Sequence, residues 1–169
     1  MEKTDTTTIF LVEDNEMFAE TITISLQNLG YTVHSFRSGE QMISSWETDP
    51  DIILLDYFIE NPLGIAMNGE KILRFIRRIN RSLPVVMLTS NSDIGEATSL
   101  LKQGAVDFIV KDEELMPNLE KTLKQIRDAV KLRQEMALNK IKILKYRKRF
   151  LIIVIILVVA AITLLWFYL

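Results

Sequence analysis

The sequence contains no cysteine, which excludes a disulfide framework and any metal site built from thiolates. Its polar N-terminus lacks the basic stretch and apolar run of a secretory signal, so we expect the first part of the chain not to be exported. Glycine and proline are absent from Leu119 onward, and residues 150–169 carry no charge. These absences favour a long helix in the last third of the sequence.

Charge divides the chain into three segments. Residues 1–117 hold 9 Lys/Arg against 19 Asp/Glu, residues 118–149 hold 11 against 3, and residues 150–169 hold none. We predict an acidic domain with its core in 1–117 and a last helix continuing to about 130, a basic helical stalk over 118–149 and an apolar segment over 150–169. The 169 residues, 49% of them hydrophobic, suffice for one well-buried domain.

Apolar, β-favouring runs alternate with amphipathic patterns along the first segment. Strands are predicted at 8–12, 31–36, 51–56, 84–89 and 105–110, and helices at 15–29, 38–46, 69–80 and 92–104. The unbroken apolar run Ile52-Ile53-Leu54-Leu55 is typical of a strand buried on both faces, as in a parallel sheet. The alternation predicts an α/β fold, a doubly wound parallel sheet with right-handed crossovers.

Five residues with charged or hydroxyl side chains lie at the carboxyl ends of the predicted strands. Glu13 and Asp14 follow the first strand, Asp56 ends the third, Thr89 ends the fourth and Lys111 follows the fifth. In a parallel sheet all five share one edge, where ligands collect in open α/β folds. Three carboxylates with neither His nor Cys favour a hard cation such as Mg²⁺. The ammonium and hydroxyl groups suit a phosphoryl group that is being transferred to a carboxylate.

Each of these residues taken alone also has an ordinary structural explanation. Asp56 could cap a turn, Lys111 and Glu13 could be solvated strand ends, and Thr89 could be a β-forming residue. Their joint occurrence at the ends of four strands favours the functional interpretation.

Four motifs resemble the receiver domain of two-component response regulators over about residues 6 to 130. They are Phe10-Leu11-Val12-Glu13-Asp14, Ile53-Leu54-Leu55-Asp56, Val86-Met87-Leu88-Thr89-Ser90 and Gly104-Ala105-Val106-Asp107-Phe108-Ile109-Val110-Lys111. The resemblance implies the flavodoxin-like strand order 2-1-3-4-5.

The resemblance also implies a role for each site residue. Asp56 would accept phosphate from the phosphohistidine of a histidine kinase or phosphotransfer protein, and Glu13 and Asp14 would hold Mg²⁺ with Asp56. Thr89 and Lys111 would bind the phosphoryl oxygens. Phe108 stands at the position of the family's switch aromatic, which turns inward as the threonine moves; a plain core aromatic is the alternative.

Two departures from the family pattern stand beside this site. Asp112 replaces the proline that usually follows the lysine, so a trans peptide bond is expected there. The connection 57–68 is longer than usual, because Gly69 arrives late. That loop could slow the access of water, carry a partner-binding surface, or be a tolerated insertion.

The stalk shows a heptad-like pattern. Positions 116, 119, 123, 126, 130, 133, 137, 140 and 144 read Met, Leu, Leu, Ile, Val, Arg, Ala, Lys and Leu. Seven of the nine fit the seam of a parallel coiled coil, which predicts a possible homodimer through the receiver face and the stalk; a lone exposed helix is the alternative.

Residues 150–169 have the length and apolarity of a transmembrane helix, about 30 Å. Lys142, Lys145, Arg147, Lys148 and Arg149 precede this segment, which by the positive-inside rule places them in the cytoplasm. We expect a single-pass C-terminal anchor in the bacterial inner membrane, with the receiver in the cytoplasm. The basic charge is attributed to the membrane surface, with no nucleic-acid partner.

These observations predict a membrane-anchored receiver that accepts a phosphoryl group on Asp56 with Mg²⁺ and switches protein–protein interactions. It would not be an enzyme beyond autophosphorylation from small donors and self-dephosphorylation. One alternative is a phosphorylation-independent membrane adaptor with a receiver fold. The other is a phosphatase of the haloacid dehalogenase type, which needs a second Asp two residues after the nucleophile, where this chain has Phe58.

Overall fold

A computed structural model describes residues 6–46, 49–59, 68–90 and 94–168, except for the side chains at 94, 96, 155–160 and 164–168. Strands and helices alternate along these residues. The elements are β1 Thr8–Val12, α1 Glu16–Asn28, β2 Thr32–Phe36, α2 Gly39–Ser44, β3 Ile52–Asp56, α3 Gly69–Ile79, β4 Val85–Thr89, α4 Ile94–Lys102, β5 Asp107–Val110 and α5 Leu115–Tyr168. The predicted strands agree with the observed ones to within two residues, although the predicted start of α4 at 92 lies outside the described residues.

The strands form one sheet in the order β2-β1-β3-β4-β5, and every neighbouring pair is parallel. All residues of β3 and β4 are buried, because helices cover both faces of the sheet centre. On one face, Phe10, Ile53 and Met87 pack with Ile72 and Ile76 of α3. The predicted α/β fold and strand order are therefore confirmed.

Local sequence signals explain where several helices begin and end. The side chains of Asn15, Ser38 and Asn68 accept hydrogen bonds from backbone N–H groups three residues later, at 3.1, 3.2 and 3.0 Å. Gly30 and Gly104 follow α1 and α4 with φ of 88° and 106°, a conformation that favours glycine. These caps and glycines thus mark the starts of α1, α2 and α3 and the ends of α1 and α4.

Helix α5 spans both of the compact units into which the chain divides, 1–122 and 123–169. Leu119, Leu123 and Ile126 are buried within the single chain, whereas the described residues from Arg127 onward are exposed. Three apolar positions of the predicted coiled-coil seam are thus buried without a partner, whereas Val130 is exposed. The domain boundaries at 117 and 149 remain a prediction.

Among the described residues, no helix is both long and apolar enough to cross a membrane. The transmembrane helix predicted over 150–169 is therefore not supported by the structure. Most of its side chains, at 155–160 and 164–169, lie outside the described residues.

Candidate phosphoacceptor site

The ammonium group of Lys111 joins two carboxylates at the carboxyl edge of the sheet. Its Nζ lies 2.6 Å from Oε2 of Glu13 and 2.9 Å from Oδ2 of Asp56. Glu13 follows β1, Asp56 ends β3 and Lys111 follows β5, so the lysine side chain reaches past the end of β4. All three side chains are almost completely buried, at 1%, 4% and 12% exposure. Removing one partner would leave a buried charge uncompensated.

Backbone N–H groups hold the second oxygen of each buried carboxylate. Phe58 N donates to Oδ1 of Asp56 at 3.2 Å, and Asn15 N donates to Oε1 of Glu13 at 3.3 Å. Both donors lie two residues after the acid that they hold, in the turn that leaves the strand. The turns therefore orient the carboxylates towards the same space.

Asp14 completes an acidic cluster with Glu13 and Asp56. One carboxylate oxygen from each residue lies within 4.8 Å of the others. Oxygen donors at this spacing fit a hard divalent cation such as Mg²⁺, which prefers carboxylates and water and leaves room for a phosphoryl oxygen. The predicted metal-ligand residues are thus brought together.

The site opens into a cavity of about 330 Å³. Its lining consists of Glu13, Asp14, Asn15, Asp56, Phe58, Ser90 and Lys111. Asn15, Phe58 and Ser90 were not predicted from the sequence. Each lies within two residues of a predicted site residue in a strand-to-helix loop, and this proximity is the signal that could have identified them.

Burial raises the pKa of both buried carboxyl groups. For Glu13, loss of hydration is the largest cause; the hydrogen bond with Lys111 opposes it and the charge of Asp56 adds to it. The pKa of Asp56 is raised for the same first reason, while Lys111 and Phe58 N oppose the shift. A cation in the cluster would favour the ionised forms of both groups.

Thr89 and Phe108 are not among the residues that line this cavity. Thr89 is fully buried at the end of β4, and its carbonyl oxygen accepts a 2.7 Å hydrogen bond from Lys111 N. Phe108 lies opposite Met87 in the neighbouring strand and packs, partly buried, against the core. The roles of Thr89 as a phosphoryl ligand and of Phe108 as a switch remain predictions.

The base of the long loop is closed beside Asp56, although residues 60–67 of that loop lie outside the described residues. Gly69 N donates to Tyr57 O at 3.1 Å. A Cβ atom on Gly69 would lie 2.3 Å from the carbonyl oxygen of Asp56, so only glycine fits there without a shift. The Lys111–Asp112 peptide bond is trans, as predicted.

Comparisons with known proteins agree with this geometry. The family model of the response regulator receiver domain matches residues 9–124. The DNA-binding response regulator MtrA of Mycolicibacterium smegmatis is 30% identical over 124 residues, which cover 71% of this chain and 52% of that protein. The chain thus spans about half the length of this curated relative.

Solved structures share the fold. A CheY-like receiver domain protein of Methanospirillum hungatei has a TM-score of 0.65 at 18% identity, covering 75% of this chain and 98% of its own. Response regulator TrrA of Thermotoga maritima was solved in complex with Mg²⁺ and BeF. It has a TM-score of 0.62 at 21% identity, and the match covers 71% of this chain and 98% of the TrrA chain. This chain belongs to the response regulator receiver domain family.

The comparisons also bear on the other interpretations. Neither the phosphorylation-independent adaptor nor the haloacid dehalogenase-type phosphatase finds support in them. The expected absence of a nucleic-acid partner is not supported either, because MtrA is named as a DNA-binding regulator. That expectation rests on the position of the basic residues, which directly precede the apolar segment 150–169 and are therefore attributed to a membrane surface.

Proposed function

We propose that Asp56 is the phosphoacceptor of a two-component signalling protein, taking its phosphoryl group from a histidine kinase or a phosphotransfer protein. The observation that carries the proposal is the position of its carboxylate. It ends a fully buried central strand, opens into the cavity and is held by Phe58 N and Lys111 Nζ. A carboxylate held in this way is oriented for attack on a phosphorus atom.

In the proposed transfer, a carboxylate oxygen of Asp56 forms a bond to phosphorus while the bond from phosphorus to the histidine nitrogen breaks. The nitrogen leaves with the electron pair, and the product is an acyl phosphate on Asp56. Lys111 already contacts Asp56, so its ammonium is in place to neutralise charge on the phosphoryl oxygens. Thr89 and Ser90, at the end of β4, would supply the facing hydroxyl groups.

Glu13, Asp14 and Asp56 would hold Mg²⁺ with their carboxylate oxygens. When bound, the ion supplies positive charge that offsets the repulsion between the carboxylates and the phosphoryl group. The backbone donors Asn15 N and Phe58 N hold two of these acids, Glu13 and Asp56, in place.

Phosphorylation would switch protein–protein interactions through Thr89 and Phe108. Thr89 adjoins the end of β5 through the hydrogen bond from Lys111 N, and Phe108 lies on that strand. A shift of Thr89 towards the phosphoryl group would therefore change the surroundings of Phe108, whose partly buried ring packs against the core.

Intact mass spectrometry of the full chain after incubation with acetyl phosphate and Mg²⁺ tests this function. A gain of one phosphoryl group is expected in the parent and in Asp112→Asn, and no gain in Asp56→Asn. Asp112 is the matched control because it is exposed, lies outside the cavity lining and adjoins Lys111. Labelling of Asp56→Asn equal to that of the parent would exclude Asp56 as the acceptor.

For the C-terminal segment we propose, from the sequence, an anchor in the bacterial inner membrane with the receiver in the cytoplasm. The support is a run of 20 uncharged residues that begins directly after Lys148 and Arg149. Truncation after Lys148 should move the protein from the membrane fraction to the soluble fraction. Retention of the truncated chain in alkaline-washed membranes would refute this anchor.

A further inference from the structure

Exposed apolar residues repeat along α5 beyond the buried part of the helix. With Ala129 as heptad position a, the a and d positions before the apolar segment 150–169 hold Ala129, Leu132, Met136, Asn139, Ile143 and Tyr146. All six are exposed in the single chain. Five of them are apolar or aromatic, which exceeds what solvated helix faces normally carry. This stripe is distinct from the seam predicted from the sequence, which places Arg133 and Lys140 at core positions.

We propose that this stripe is the seam of a parallel, in-register two-stranded coiled coil formed with a second copy of this chain. The proposal does not depend on the phosphoacceptor function. It rests on three observations about α5: the repeat of exposed apolar residues, the charges that flank it, and the single polar residue within it.

The flanking charges fit a second copy of the same helix. In a parallel pair, each g residue faces the e residue of the next heptad on the partner. Asp128 would then face Arg133 of the partner subunit, and Glu135 would face Lys140 of the partner subunit. Each attractive pair occurs twice by symmetry. Lys142 would face Arg147 of the partner subunit, so the third heptad opposes association.

A competing register on the same helix fits less well. It places Val130, Ala137, Leu144 and Leu151 at one set of core positions and Gln134, Ile141 and Lys148 at the other. Two of seven core positions are then polar, and the flanking positions bring Lys140 against Lys145 of the partner subunit. Burying a lysine in a seam and pairing like charges both disfavour this register.

Asn139 selects the parallel orientation. It is the single polar member of the stripe, at a d position. In a parallel in-register pair its amide meets the same amide of the partner, and each can donate to and accept from the other. In the antiparallel arrangement with the same stripe, Asn139 would face Met136 of the partner subunit, which cannot satisfy an amide. The paired hydrogen bonds form only when the two amides lie at the same level, which favours the in-register pair.

The natural absence of cysteine makes disulfide trapping a direct test. Leu132→Cys and Leu138→Cys are introduced singly into the full chain, which is then treated with a mild oxidant. Leu132 lies on the stripe and Leu138 lies off it, yet the two are the same residue type with 53% and 59% exposure. A disulfide needs Cα atoms within about 7 Å, which a parallel pair provides at position 132 and an antiparallel pair does not.

The proposal expects several-fold more crosslinked dimer at position 132 than at position 138. Adding Glu135→Lys to Leu132→Cys should lower the crosslinked fraction several-fold, and further adding Lys140→Glu should restore it, since the attractive pair is then reversed in sign. Equal crosslinking at positions 132 and 138, no crosslinking at either, or crosslinking that ignores the charge reversal would each overturn the proposal.

Discussion

The hydroxyl group of Thr122 donates a 2.5 Å hydrogen bond to Oδ2 of Asp107, which joins α5 to β5. Thr122 is buried, and the other carboxylate oxygen of Asp107 accepts a 2.8 Å bond from Phe108 N. One carboxylate thus links the start of α5 to the backbone of the predicted switch aromatic. We expect a movement of the Phe108 backbone in the proposed switch to be transmitted to α5 through Asp107.

Thr122→Val should destabilise the chain, because it removes the donor and leaves a partly buried carboxylate oxygen without it. Hydrogen bonds to charged groups contribute about 1.5–3 kcal/mol, so a loss near the lower end of this range is expected. Chemical denaturation measures it. Thr122→Ser keeps the hydroxyl and should lose much less; equal losses for the two variants would show that the methyl group, not the bond, matters.

Gly69→Ala should impair both stability and phosphorylation. The new Cβ would lie 2.3 Å from Asp56 O and 2.8 Å from Tyr57 Cα, and backbone atoms cannot yield as a flexible side chain can. Overpacking of this kind costs about 1–3 kcal/mol. The accompanying shift of Asp56 should slow labelling by acetyl phosphate.

The control for this variant is Gly95→Ala, which changes an exposed glycine within α4. It should be neutral or stabilising, because alanine is the better helix former. Unchanged labelling and stability in Gly69→Ala would show that the backbone around Asp56 relaxes freely.

Arg77→Lys should be strongly destabilising for a conservative change. The Arg77 guanidinium donates from Nε and Nη2 to Gly104 O at 3.0 and 2.7 Å, and from Nη1 to Leu83 O at 2.7 Å. A single ammonium group cannot make all of these hydrogen bonds, so at least one backbone carbonyl group loses its donor. An unsatisfied buried group of this kind lowers the free energy of unfolding by about 1–3 kcal/mol. Arg78→Lys, at the adjacent exposed position, should change the free energy of unfolding little.

Without Mg²⁺, the acidic cluster should make the chain less stable as pH rises. The folded pKa values of Glu13 and Asp56 are raised, so the folded state keeps protons that the unfolded chain releases above about pH 4. The contribution of these two protonated carboxyl groups to the free energy of unfolding is complete below that pH. It is lost as the pH rises through their raised pKa values in the folded state. Melting curves in a chelator from acid to neutral pH should show a weaker decline for Asp56→Asn than for the parent. An identical decline would contradict the raised pKa of Asp56.

Mg²⁺ should raise the melting temperature of the parent at neutral pH, because it binds the folded cluster and offsets the repulsion among its carboxylates. The increase should be lost or sharply reduced in Asp14→Asn, which removes one ligand charge. Asp112→Asn should retain it, since that residue is exposed and outside the cluster. A melting temperature indifferent to Mg²⁺ in the parent would argue against a metal site.

Sequence patterns predict the sheet and the gathering of the acids, because both follow from local rules. The unbroken apolar run before Asp56 specifies a central strand, and parallel strands bring Glu13, Asp14 and Lys111 to the same edge. They do not predict that Lys111 contacts Glu13 and Asp56 together, since that depends on side-chain reach across β4. They also miss Ser90, because loop positions carry no periodicity.

The stalk shows a different limit of sequence analysis. A heptad pattern can be written through Leu119, Leu123 and Ile126, but the structure buries those residues within the single chain. Periodicity alone does not say whether an apolar stripe meets the same chain or another one. Burial separates the two cases and assigns the exposed stripe that begins at Ala129 to a possible partner.

The hydrogen bond from Gly69 N to Tyr57 O closes the base of a long loop beside the candidate phosphoacceptor Asp56. Both ends of segment 60–67 are fixed, so changes in its length cost little, because loop-closure entropy grows only with the logarithm of length. New sequence can be inserted there while Asp56 keeps its place. We therefore expect a short tag inserted within 60–67 to leave the labelling of Asp56 close to that of the parent.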